Sequence, residues 1–150
     1  MYKNSFTHYL TKFLVDAMFL GGLICCIAVP FVMPWLAERF GYRPQSVLPF
    51  TAILLAAGLC SEYILWQLRA MFKTLLGGNP FVGANVTCLR RCAVASLAIA
   101  LIFVAKSIFW FTLATAIIVI MFTMLGLFCL TLKDLFKQAV AYKEEHDWTV

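Results

Sequence analysis

The chain has 150 residues, 63% of them hydrophobic and 13% charged, with a mean hydropathy of +0.91. Soluble domains carry roughly 45–50% apolar and about 25% charged residues, so an ordinary soluble fold is excluded, and the length suits one domain rather than two. The net charge of +5 lies at the ends of apolar stretches rather than in one patch, which fits membrane-helix flanks and argues against direct nucleic-acid binding.

A short polar segment, MYKNSFTHYLTK, precedes an uncharged run at residues 17–36. Twenty residues at about 1.5 Å each cover roughly 30 Å, the hydrocarbon thickness of a bilayer. The run is longer than a signal-peptide core and no small-x-small site closely follows it. Ile24 also stands where a lipoprotein signal needs a small residue before Cys25. These features predict an uncleaved first helix, with Pro30 and Pro34 bending or ending it and Trp35 in the interfacial belt. A loop, AERFGYRPQS, leads to a second apolar run at residues 47–68, interrupted only by Glu62. Gly77-Gly78 closes that helix, and Asn79-Pro80 reads as the cap and first position of the next. Residues 92–132 contain a single charge, Lys106, and have the length of two spans. The Lys106-Ser107 pair, close to Trp110, predicts a tight hairpin between them. Leu132, Leu135, Phe136, Ala139 and Val140 then form one apolar stripe at helical spacing, carrying the fourth helix beyond the bilayer.

The expected fold is therefore an all-α integral membrane four-helix bundle of two hairpins, a single domain over residues 1–150, with helices at about 10–36, 47–73, 86–107 and 109–140. Nine of the twelve lysines and arginines fall in the N-terminal segment, the second connection and the tail. Arg39, Arg43 and Lys106 fall in the other two connections. The positive-inside rule then predicts both termini in the cytoplasm, as a multi-pass protein of the bacterial inner (plasma) membrane.

The six cysteines lie in or at the edge of apolar runs and read as small buried hydrophobic residues. Cys88 and Cys92 share a helix face, but two thiols without His or carboxylate partners make a poor metal site. His8 and His146 are terminal, and no nucleophile sits beside a base. The chain is expected to be no enzyme and to need no metal or cofactor. The series Ala17, Gly21, Cys25, together with Gly22, Cys26 and with Ala52, Ala56, is spaced for close helix approach, within the chain or in a homo-oligomer.

Charges inside spans cost about 2.5–3.5 kcal/mol at a helix centre on insertion scales, so each needs a reason. Asp16, Glu62, Arg69, Arg90 and Arg91 are all expected near the cytoplasmic end of their helices, where they form a candidate polar cluster. The acids pair with arginines and lock the bundle, or Glu62 binds a proton, a cationic ligand or a partner's basic group, or the charges reach toward headgroups. A lone membrane glutamate is also a feature of small proton-coupled exporters, although these carry it in their first helix.

Two stretches resemble a known family. LLGGNPFVGANVTCLRR at residues 75–91 resembles the G-N-P-F…N…L-R-R connection of a bacterial membrane family catalogued as domain of unknown function 2975. LFKQAVAYKEEHDWTV resembles its ending, although Trp148 stands where that ending has leucine. The resemblance covers essentially the whole chain and implies a small protein with four membrane helices. Members are often encoded beside a small helix-turn-helix regulator, which implies a membrane component that senses a signal and holds or releases that regulator. Candidate docking residues on this reading are Asn79, Pro80, Phe81 and Asn85 of the connection, with Glu144, Glu145 and Asp147 of the tail. The basic connection and acidic tail either close on each other or offer a surface to a basic DNA-binding protein. The expected function is thus a non-enzymatic regulatory or interaction partner in the bilayer, and the alternative is a small proton-coupled transporter or transporter subunit using Glu62.

Overall fold

The computed structural model describes residues 6–149; Lys3, counted above with the terminal charges, and Val150, the end of the tail motif, lie outside the described residues. Four helices follow in order: α1 (Phe6–Phe40), α2 (Pro44–Leu76), α3 (Gly83–Phe109) and α4 (Leu113–Trp148). Each is long and apolar enough to cross a membrane, and no strand occurs among the described residues. The chain is an all-α, multi-pass membrane protein.

The helices pack as a row. α1 lies on α2, α2 on α3, and α3 on α4, and no other pair packs together among the described residues. Side-chain partners fix the antiparallel registers. Asp16 faces Arg69, and Gly22 faces Glu62 farther in. Thr74 bonds Asn85, and the Cys92 thiol points at the Ile64 carbonyl. Lys106 reaches Thr115, and Leu97 fills the space over Gly126. Phe6 and Thr149, the ends of the described residues, therefore lie on one side of the row, its terminal face. The inner helix α3 holds most of the core, with Ala93, Ser96 and Ile99 fully buried, whereas α1 buries only Val15 and Ala37. Large apolar side chains such as Leu20, Phe31, Ile108 and Met121 face outward, as lipid-facing positions do.

All three connections differ from expectation. α1 passes through Pro30 and Pro34 and ends at Phe40, where Gly41 adopts φ +70° and the Tyr42 N–H donates to the Ala37 carbonyl at 3.0 Å. This glycine-dependent closure satisfies a terminal carbonyl, and Pro44 starts α2 at once, its missing N–H costing nothing in the first turn. The ten-residue loop thus shrinks to residues 41–43. The second difference is at the α3–α4 hairpin, which turns at residues 110–112 rather than at Lys106-Ser107. Lys106 stays helical because its ammonium donates to the Thr115 hydroxyl at 2.8 Å and lies 5.5 Å from the Phe50 ring centroid. The signal for the turn is Thr112, whose hydroxyl accepts from the Thr115 N–H at 3.3 Å and caps α4.

The third difference concerns Asn79-Pro80. Gly78, at φ +82°, closes α2 as expected, with the Asn79 N–H donating to the Thr74 carbonyl at 3.2 Å. Asn79-Pro80 does not cap α3, however, which begins at Gly83 with Val82 in the cap position. Asn85 fixes the connection instead. It is only 2% exposed, and its amide donates to the Pro80 carbonyl at 2.6 Å and to the Thr74 hydroxyl at 2.8 Å. α4 also runs to Trp148, past the predicted end near residue 140.

Candidate functional site

The polar side chains expected to converge divide into separate arrangements. Arg69 Nε donates to Asp16 Oδ1 at 2.5 Å, joining α2 to α1. Both side chains keep more than a third of their surface exposed, so the pair is worth little by charge alone. The Arg69 guanidinium also lies 4.6 Å from the centroid of Phe19, whose ring packs on Trp66 at 5.9 Å.

Glu62 is placed differently. Only 7% exposed, its carboxylate projects into α1 at Gly22, where a Cβ would overlap the Oε1 atom. Its Oε2 is buried with no hydrogen-bond partner among the described residues. One turn farther on, Cys26 Sγ would stand 2.8 Å from a Cβ on Gly58. Small residues therefore let α1 and α2 approach closely, and Glu62 occupies the space that Gly22 leaves. Glu62 pairs with no arginine among the described residues, because Arg69, two turns away, is already engaged by Asp16. Arg90 and Arg91 are exposed on α3 and join neither acid. In a row, α1 and α3 lie on opposite sides of α2, so charges at similar depth do not meet. Gln67, 4% exposed, is a buried polar residue that sequence reading passed over. No group of His, Cys, Asp or Glu among the described residues is placed to hold a metal ion.

The second candidate region forms where α4 continues past its apolar stretch. Its extension, residues 133–148, is about 24 Å long at helical rise and is braced against the α2–α3 connection. Phe136 packs on Phe81 at 5.5 Å between centroids, and Lys143 donates to Asn79 Oδ1. A groove of about 230 Å³ lies between them, lined by Asn79, Phe81, Glu144 and Asp147 among others. Four of the seven docking candidates thus meet in one place. Pro80 supplies the carbonyl bonded by Asn85, Asn85 is buried in that structural network, and Glu145 is exposed beside the groove. The connection and tail do close on each other, but through a ring pair and an amide. Glu144, Glu145 and Asp147 remain exposed and make no ion pair among the described residues.

The chain matches the model of a family described as "Protein of unknown function (DUF2975)" over residues 36–150. That range takes in α2, α3, α4 and the last residues of α1, less than the whole-chain extent expected from the resemblance. No curated protein and no solved structure matches the chain. In the matched range the G-N-P-F…N segment has visible structural roles. Gly78 takes the positive φ, Asn79 anchors Lys143, Pro80 accepts from Asn85, and Phe81 holds the α4 extension. On this match, which covers most of its length, the chain belongs to the family Protein of unknown function (DUF2975).

Proposed function

We propose that this protein is a non-enzymatic interaction protein of the bacterial plasma membrane. Its terminal face is cytoplasmic and docks a small basic partner, a helix-turn-helix regulator held at the bilayer. The observation that carries this reading is the state of the α4 extension. It packs on Phe81 and bonds Asn79, yet its three acids stay exposed and unpaired among the described residues. Those acids have no cationic partner to close on among the described residues. An acidic helix beside a half-apolar groove suits a basic partner, because the segment is already helical and binding need not fold it, and charge steers the encounter. The test is cross-linking in native membranes followed by mass spectrometry. Wild-type protein captures a small helix-turn-helix chain, and the Glu144→Gln, Glu145→Gln, Asp147→Asn variant loses it at equal abundance. Undiminished capture by the variant refutes the docking surface.

The orphaned Glu62 oxygen favours a second reading, a small proton-coupled carrier or transporter subunit. A buried intramembrane carboxyl with no partner is a natural proton or cation site. On that reading Glu62→Gln abolishes transport while the protein still assembles, whereas the docking reading leaves partner capture by Glu62→Gln unchanged.

A further inference from the structure

A second groove adjoins the first across Gly83 and Val140, on the side toward the bilayer. It has a volume of about 290 Å³ and is lined by Gly83, Val86, Arg90, Lys133, Lys137 and Val140. Three cations from two helices face one concavity, and no carboxylate lines it. Arg90 and Lys137 make no ion pair among the described residues. Lys133 has only its exposed sequence neighbour Asp134, at 3.2 Å.

The depth of this groove follows from the spans. The apolar stretch of α4 ends at Leu132, so Lys133 stands at the hydrocarbon edge, with Lys137 about 6 Å and Val140 about 10 Å beyond it. On the antiparallel α3, Arg90 lies opposite, with Val86 and Gly83 at matching distances outward. A headgroup layer is about 5–8 Å thick on each side. The groove therefore lies at the level of the lipid phosphates. A lone arginine at this depth reaches toward whichever headgroup drifts past. Two lysines and an arginine converging from separate backbones instead hold several oxygens of one anion, with Val86 and Val140 as apolar walls for its organic part.

We propose that this groove is a binding site for a phosphate group. An anionic phospholipid of the surrounding leaflet and a free phosphate compound are the two sources that share this chemistry. The site is distinct from the acidic docking groove and does not depend on it.

The experiment uses full-length protein in nanodiscs of phosphatidylcholine alone, of phosphatidylcholine with phosphatidylglycerol, and of phosphatidylcholine with added inorganic phosphate. Lipid retained through purification is read by native mass spectrometry, and phosphate binding by calorimetry. The groove variant is Arg90→Gln, Lys133→Gln, Lys137→Gln. A control, Lys12→Gln, Lys73→Gln, Arg91→Gln, removes the same charge from the same side outside the groove. Wild type and control are expected to retain phosphatidylglycerol, with the groove variant about tenfold or more weaker. Phosphate binding in phosphatidylcholine discs, lost in the groove variant, identifies a free phosphate compound as the source and equally supports the site. Equal loss in groove variant and control means general charge attraction and overturns the proposal. Wild-type retention of neither probe, or undiminished binding by a groove variant whose helical circular dichroism matches wild type, also overturns it.

Discussion

The seat of Glu62 against Gly22 makes a measurable claim about two residues forty positions apart. Gly22→Ala adds a methyl group where the Glu62 carboxylate already lies, with the carboxyl carbon itself only 2.9 Å away. The carboxylate is the far end of a flexible side chain, but it is enclosed between α1 and α2 and has little room to yield. Overpacking of this kind costs about 1–3 kcal/mol, partly offset by a gain of about 1 kcal/mol when alanine replaces glycine within a helix. The single substitution should thus destabilise by up to about 2 kcal/mol. In a Glu62→Ala background the obstruction is gone, and Gly22→Ala should stabilise by up to about 1 kcal/mol. The coupling between the two sites is then about 1–3 kcal/mol, within the range found for residues in contact. It can be read from reversible unfolding in mixed detergent micelles, followed by circular dichroism on wild type, both single variants and the double variant. Effects that add to within about 0.5 kcal/mol would refute the packing described for Glu62.

Other expectations concern the same helices. Glu62→Met should raise unfolding stability in the same micelles by about 1–3 kcal/mol, the cost of a buried polar atom without a partner; a loss of stability would refute the view that this carboxyl is an unpartnered burden. Asn85→Ala should lower it by about 1–3 kcal/mol and speed hydrogen exchange in residues 77–82, because the Thr74 hydroxyl and Pro80 carbonyl both lose their amide. Gly78→Ala should cost about 1–2 kcal/mol from backbone strain alone, since a Cβ there meets nothing within 4 Å. Asp16→Asn should change stability by less than about 1 kcal/mol, while Arg69→Met, which also leaves the Phe19 face, should cost more.

What could be read without coordinates follows the physics that acts locally. Four spans, the glycine stop after α2 and the stripe continuing α4 are each set by a short run of residues, and each is found in the structure. The turns were harder because proline and lysine read as interruptions when a helix in an apolar setting can absorb both. Pro30 and Pro34 lie within α1, and Lys106 keeps its helical place by reaching Thr115 and Phe50. Neither depth nor adjacency was fully legible, since Glu62 lies two turns farther in than the Asp16–Arg69 pair. Asp16, Glu62, Arg69, Arg90 and Arg91 could be assigned a similar level from charge and length, whereas which of them touch depends on the order of helices in the row. Gly22 carried a usable signal as a small residue on a packing face, yet nothing in the sequence ties it to Glu62. The basic groove was hidden for the same reason, since Arg90 and Lys133 belong to helices whose register only packing reveals.

The row also bears on how the protein is made. Because each helix packs only on its neighbours in sequence among the described residues, every helix after α1 finds a partner already made. α2 has to bring a carboxyl into the bilayer, an insertion that is costly for an isolated helix. By the time Glu62 leaves the ribosome, the notch at Gly22 has already been synthesised, and α1 can meet α2 as it enters. Synthesis from the N-terminus thus delivers the receptacle before the carboxyl, and reversing the order of the two helices would leave the acid to enter the hydrocarbon unaccompanied.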